Sequence, residues 1–279
     1  MGANTIGVLH PGEMGSAVGA TVRAAGVRVL WVSEGRGTDT HRRAAAAGLE
    51  DVATMERVVR ESAFIVSICP PAAAMHVAEA VASRGFAGTY VDANAVSPAT
   101  SRAIGAIVER AGAVFVDGGI VGPPPRTSGT TRLYLSGPAA ERVAALFSCS
   151  MLEAIVLDGP IAAASALKMA YAGWTKGSAA LLMTMRTFAI AEGVDDALLR
   201  EWERSIPGLA ARSESAVRDN SRKARRFVDE MREIAETLVA AGLPDGFHRA
   251  AAKVYERLAP YKDTPTPPSA ADAARALKQ

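Results

Sequence analysis

The first 160 residues alternate short apolar runs with punctuated helical stretches, and few folds accept that pattern. The runs "TIGVLH", "RVLWVS", "AFIVSIC", "TYVDAN", "AVFVDGG", "RLYLSG" and "AIVLD" are rich in valine and isoleucine. They are apolar on both faces, as strands covered from both sides are. Gly26, Gly85 and Gly112 stand where helices should end, and Ser97-Pro98 pairs a cap residue with a proline at the first helical position. This alternation predicts an α/β fold, a doubly wound Rossmann-type domain over residues 1–160.

After Pro160 the pattern changes, and no strand is expected. Residues 162–192 read as one long helix with little polar surface, hence buried between layers. Residues 217–241 read as an amphipathic helix. Phe227, Met231, Ile234 and Leu238 follow one side, and the charges from Arg222 to Glu236 solvate the other. Gly242 and Pro244 stop it, and residues 247–258 make a last helix. Residues 161–262 therefore predict an all-helical domain. The proline-rich residues 263–279 read as a tail, either mobile or docked on a partner subunit.

The 279 residues are 49% hydrophobic, enough for a sizeable core. The 31 basic and 29 acidic residues leave a net charge of +2, so no broad basic field points to nucleic acid. Cys69 and Cys149 supply neither a disulfide framework nor metal-ligand spacing, so no metal is expected and both thiols are read as reduced and buried. The start of the chain shows no basic segment followed by an apolar run. The most apolar helical stretch carries Lys168, Lys176 and Arg186, which makes it a poor membrane span. These points predict a cytoplasmic protein.

The first strand runs into "LHPGEMG". A dinucleotide-binding turn needs a glycine where the backbone approaches a pyrophosphate and another where the helix packs on the strand. Gly12 and Gly15 meet those two needs. His10 occupies the place of the first glycine, which any residue is expected to fill while its backbone angles stay negative, with Pro11 fixing the next one. The second strand ends at Ser33, where the adenosine ribose belongs, and "SEGRG" follows. Glu34 would bind the ribose hydroxyls of NAD, and Arg36 the 2′-phosphate of NADP. NADP is expected, with NAD as the alternative. Arg42 and Arg43 read equally well as solvent-facing charges at a helix start.

The segments "IGVLHPGEMG", "FIVSICPP", "VDANAVSPATSR", "VFVDGGIVG", "SGTTRLYLSG" and "SALKMAYAGWTKG" occur in one order and spacing. In this the chain resembles the β-hydroxyacid dehydrogenases, the family of 3-hydroxyisobutyrate dehydrogenase, related to 6-phosphogluconate dehydrogenase. More narrowly it is similar to a bacterial branch whose helical C-terminal domain is of unknown function. The likeness extends to about Tyr261. It implies an active site in the cleft between a Rossmann and a helical domain, and a lysine on the long helix as general acid/base. Lys168 matches that lysine. Its place six residues into an apolar helix agrees, since burial brings a lysine into range for proton transfer.

The cofactor-binding set implied is His10, Pro11, Gly12, Glu13, Met14, Ser33, Glu34, Arg36, Cys69, Pro70 and Asn94. Asn94 stands where the family usually has a small hydroxyl residue. It reads as a second catalytic group, able to donate to and accept from the substrate hydroxyl or the nicotinamide amide, or else as a turn asparagine. Cys69 reads rather as a buried small residue. On the substrate side stand Gly122, Pro123, Tyr171, Trp174 and Thr175. Val121-Gly122-Pro123 replaces the family's serine and two glycines, and Thr175 replaces the glutamate of the phosphogluconate enzymes. Decarboxylation of 6-phosphogluconate is therefore not expected, and the aromatic residues suggest a bulkier, less polar substrate. Arg126 and Lys176 read as anion ligands or surface charges. The expected function is hydride transfer between a hydroxyl and a carbonyl compound, a β-hydroxy acid or related alcohol. The alternatives are an imine reductase of the same architecture and a non-catalytic NADP-binding module. A homodimer through the C-terminal helices is expected, with a small molecule as substrate and neither nucleic acid nor membrane as partner.

Overall fold

The computed structural model describes residues 5–278. β1 (Ile6–Leu9) leads through the glycine turn into α1 (Glu13–Ala24). Then come β2 (Val29–Trp31), α2 (Thr38–Ala46), β3 (Glu50–Asp51), α3 (Met55–Glu61), β4 (Phe64–Ser67), α4 (Ala74–Ala82), β5 (Thr89–Asp92), α5 (Pro98–Arg110) and β6 (Val114–Val121). β7 (Thr131–Ser136), α6 (Ala140–Ala145) and β8 (Leu152–Val156) finish a sheet ordered β3-β2-β1-β4-β5-β6-β7-β8. The order turns outward from β1 in both directions, as a doubly wound fold requires.

Alternation along each strand feeds two cores. Val8, Val66, Val91 and Val116 face Val18 and Val22 of α1 on one side. Leu9, Ile65, Tyr90 and Phe115 face Val77 of α4 and Ile104 of α5 on the other. Each such burial contributes roughly 1.5–3 kcal/mol, which is why runs apolar on both faces become interior strands. Gly26, Gly85 and Gly112 end their helices at φ of +86°, +70° and +99°. Ser97 Oγ accepts from Thr100 N at 3.2 Å, and Pro98 opens α5.

Two features differ from the reading of purely parallel, apolar strands. β7 runs antiparallel to β6, because residues 122–130 are too short for a crossover of about a dozen residues. β3 is a two-residue strand of glutamate and aspartate with no apolar run to announce it. Cys69 is only partly buried and Cys149 is exposed, so the expectation of two core thiols is corrected.

The chain divides into two compact units that meet in sequence at Lys168 and Met169, inside α7 (Ala163–Ala191). The second unit continues with α8 (Asp195–Ser205), α9 (Leu209–Ser221), α10 (Ala224–Ala240), α11 (Gly246–Leu258) and α12 (Ala270–Leu277). Phe227, Met231 and Ile234 of α10 pack with Tyr255 of α11 and Met183 of α7. The expected 217–241 helix is broken before α10. Asn220 Nδ2 and Ser221 Oγ donate to the carbonyls of Ala216 and Val217, the kind of side-chain competition that ends helices. The expected burial of α7 is also corrected. Tyr171, Trp174, Leu181, Met185 and Phe188 are exposed along it. The C-terminal residues pack on their own unit. A Ser269–Asp272 capping box starts α12, whose Ala273 and Leu277 join the helical core, and Arg257 Nη1 donates to Leu277 O at 2.5 Å. Among the described residues no helix is long and apolar enough to cross a membrane.

Candidate functional site

The glycine turn is closed by Gly12 N–H donating to His10 O at 2.7 Å. A Cβ on Gly15 would lie 2.6 Å from that same oxygen, so the start of α1 rests directly on the turn. A Cβ on Gly12 would meet nothing closer than His10 O at 4.0 Å. The fold thus requires Gly15, whereas Gly12 keeps open the side that a pyrophosphate needs. His10 has φ +65°, so the expectation of a negative angle there is wrong. The first position of the turn is left-handed, which is why glycine is usual, and His10 bears the strain. Pro11 is buried, Met14 packs on the first core, and Glu13 is exposed in the first turn of α1.

Two buried polar atoms at this turn have no protein partner, His10 Nδ1 and Arg36 Nε. Arg36 follows β2, yet its charge acts on both His10 and Cys69, so its guanidinium reaches toward the end of β1. Burial, then the Arg36 charge, lowers the His10 pKa to about 4, leaving a neutral imidazole. Ser33 is half-buried and accepts Arg36 N–H through its carbonyl, while Glu34 is exposed. Arg42 pairs with Asp39 on the surface of α2, away from any such role. An orphaned guanidinium N–H and an orphaned imidazole nitrogen beside an open glycine fit a phosphate-bearing dinucleotide.

Asn94 ties the next two loops together. Its Oδ1 accepts Cys69 N–H at 2.6 Å, and its Nδ2 donates to Ser67 Oγ at 3.1 Å and to Asp92. Both its donor hydrogens are therefore held within the protein, and Pro70 stands in the loop it fixes. Burial pushes the Cys69 thiol up to about 11, so it stays protonated. Asp92, fully buried at the end of β5, was not singled out in the sequence. Desolvation raises its carboxyl to about 7, and its Oδ2 lacks a partner. A lone aspartate ending an apolar strand, "TYVD", was the available signal.

β6 outruns its parallel neighbour, so Gly119 lies past the Asp92–Asp117 pair at the carboxyl edge of the sheet. A Cβ on Gly119 would sit 2.6 Å from Ala164 O and 3.3 Å from Lys168 Cβ. Lys168 thus rises from β6 at the edge that carries the glycine turn and the Asn94 tie. Gly122, at φ +121°, leaves no room for a Cβ, which would meet Thr130 O at 2.3 Å. The Pro123 carbonyl accepts from Thr131 Oγ1 at 2.6 Å. A cleft of about 310 Å³ lies between Glu13 and the loop carrying Pro123 and Arg126.

In the second unit Tyr171 and Trp174 are exposed, and Thr175 Oγ1 donates to Tyr171 O at 2.9 Å. Lys176 pairs with Glu230 and lies over the Phe227 ring, so it serves the helical core rather than an anion. Among the described residues no group of histidines, cysteines and carboxylates fits a metal.

Residues 5–149 match the family described as the NAD binding domain of 6-phosphogluconate dehydrogenase, and residues 189–258 match a domain of unknown function, DUF1932. An uncharacterized 28.5 kDa protein of Methanothermus fervidus is 28% identical over 72% of this chain and 76% of its own length. Among solved structures, the conserved protein MTH1747, of unknown function and similar to 3-hydroxyacid dehydrogenases, is 27% identical. It aligns with TM-score 0.74 over 91% of this chain and 96% of that one. The Mycobacterium tuberculosis 3-hydroxyisobutyrate dehydrogenase with L-serine shares the fold, with TM-score 0.76 at 16% identity over 99% and 98% of the two chains.

Proposed function

The chain belongs to the family of the NAD binding domain of 6-phosphogluconate dehydrogenase, and from that premise we propose an NADP-preferring oxidoreductase that interconverts a hydroxyl and a carbonyl group. The substrate is a β-hydroxy acid or related alcohol. His10, Pro11, Gly12 and Arg36 hold the phosphates, and Cys69 and Pro70 line the nicotinamide side. Arg36 supports NADP over NAD, because a guanidinium with an unpartnered Nε suits a 2′-phosphate. The nicotinamide supplies the hydride donor or acceptor. Lys168 gives its proton to the carbonyl oxygen as negative charge develops there, and takes it back in the oxidative direction. Asn94 acts as a positioning residue that keeps the Cys69–Pro70 loop in place. Gly122, Pro123, Tyr171, Trp174 and Thr175 are the substrate-side residues, and their aromatic content favours a bulky, weakly polar substrate.

One observation carries this reading: Lys168 stands on Gly119, on the same sheet edge as the glycine turn. The test is Lys168→Met in a steady-state assay that offers a ketone, a hydroxy acid and a cyclic imine. Turnover on the ketone and hydroxy acid should fall at least about 10³-fold while NADPH binds as before. Retained turnover refutes the lysine mechanism. Tight NADPH binding by the unmutated protein with no turnover on any compound favours the non-catalytic module.

The assembly is proposed to be a homodimer through α7. Beyond the substrate-side residues, Ser178, Leu181, Met185 and Phe188 follow one another in alternating three- and four-residue steps. Three of these are large, apolar and exposed, the seam of a helix pair rather than of a solvated helix. A cytoplasmic location fits the two free thiols.

A further inference from the structure

Asp117 is fully buried where the pairing of β6 with β5 ends, and four donors converge on its carboxylate. Oδ1 accepts Ser101 Oγ at 2.7 Å and Ser165 Oγ at 2.5 Å. Oδ2 accepts Ser136 Oγ at 3.0 Å and the backbone N–H of Ser165 at 2.8 Å. Ser136 Oγ in turn accepts Ala164 N–H at 3.3 Å. These last two N–H groups belong to the first turn of α7, which no intrahelical carbonyl can serve. The carboxylate therefore does for α7 what an N-cap does, but from a neighbouring strand and with a full negative charge at the positive end of the helix. Two residues further along β6, Gly119 lies so close under α7 that a Cβ there would run into Ala164 O and crowd Lys168 Cβ. Strand and helix are fixed at two successive points, and the second is the root of the lysine.

We propose that Asp117 is the positioning residue of Lys168: its serine-held carboxylate fastens the first turn of α7 to β6 and supplies the charge that favours the lysine's ammonium form. The proposal rests on the acid/base reading of Lys168 given above. Asp92, opposite Asp117 on β5, is a titratable group that feels this carboxylate's charge. α5 and β7 bring only the uncharged Ser101 and Ser136 to the carboxylate. All four donors to Asp117 are fixed or rotatable N–H and O–H groups. An asparagine can therefore keep an oxygen on Ser165 N and turn its amide toward hydroxyls that rotate to accept.

The test is Asp117→Asn in the full chain. The six lysines of this sequence are dimethylated with ¹³C, and Lys168 is assigned by its absence in Lys168→Met. Removing the negative charge should lower the lysine's titration midpoint by about one unit, and in the reductive direction the alkaline limb of kcat should move down with it while KM for NADPH stays put. A folded Asp117→Asn protein whose Lys168 titrates as in wild type overturns the electrostatic role. The NMR titration needs no turnover, so a protein that turns over nothing refutes the proposed function and leaves this result to be read by itself. If Asp117→Asn does not fold, Ser165→Ala keeps the charge and drops one hydroxyl. Amide exchange at residues 164–168 should then quicken about tenfold with the lysine midpoint unmoved, and unchanged exchange overturns the anchoring.

Discussion

Gly12 and Gly15 sit three residues apart in one turn, and alanine at each should do opposite things. At Gly15 the new Cβ meets the His10 carbonyl oxygen at 2.6 Å and its carbon at 3.4 Å, and both are backbone atoms. That oxygen is also the acceptor of the Gly12 N–H bond that closes the turn, so it cannot retreat without breaking the bond. Overpacking of this kind costs about 1–3 kcal/mol, and the lost turn bond adds about 1 kcal/mol. Gly15→Ala should therefore lose about 2–4 kcal/mol of unfolding free energy and bind NADPH poorly. At Gly12 the Cβ meets only the His10 carbonyl oxygen, at an unstrained 4.0 Å, and φ is −70°. The weaker N-cap and the stiffer unfolded chain roughly cancel, which leaves less than about 1 kcal/mol of change. The methyl group stands where a pyrophosphate must come close, so affinity should fall about tenfold or more. Urea denaturation and NADPH fluorescence titration on both variants measure the two effects. Equal destabilisation of both, or wild-type affinity in Gly12→Ala, refutes the division of labour.

Asp92 should give stability a pH dependence. Its carboxyl titrates near 7 in the fold against an ordinary value of 3.8, so the folded state holds an extra proton between those limits. Its contribution is fully present at about pH 4 and is lost as pH rises to about 7, at no more than about 1.4 kcal/mol per unit. Asp92→Asn should flatten urea-unfolding profiles in that window, and an unchanged slope counts against the assignment. Leu181→Glu with Phe188→Glu should turn a dimer into a monomer by light scattering, and a dimer that persists removes α7 from the interface. His10→Gly relieves a left-handed angle that costs a non-glycine residue about 1 kcal/mol, so thermal stability should hold or rise. A severalfold weaker NADPH affinity in the same variant would show that the imidazole donates to the cofactor.

Much of the nucleotide half was legible because buried strands and helix ends leave local marks. Valine-rich runs became β1, β2, β4 and β5, and Gly26, Gly85 and Gly112 took left-handed angles. The sign of β7 was not legible, since direction depends on how long the preceding loop is rather than on the strand itself. The left-handed angle of His10 escaped notice because nothing in a histidine announces one. Asp92 and Asp117 were missed for another reason. Each reads as an ordinary aspartate in an apolar run, and what gives Asp117 its role is Ser165, far away in sequence. The exposed apolar stripe of α7 reads as core in the sequence, because such a stripe looks the same whether or not the fold covers it.

β1 lies inside the sheet between β2 and β4, so the glycine turn cannot be flanked on both sides until Ser67 has left the ribosome. From there each new strand adds to a growing edge, and the β6–β7 hairpin is the first antiparallel pairing the chain meets. The anchorage of Lys168 waits longer still, for Ser136 and then Ser165. A nascent chain thus assembles its nucleotide edge from nearby segments and fixes its lysine only after a long-range closure, the slower kind of folding event.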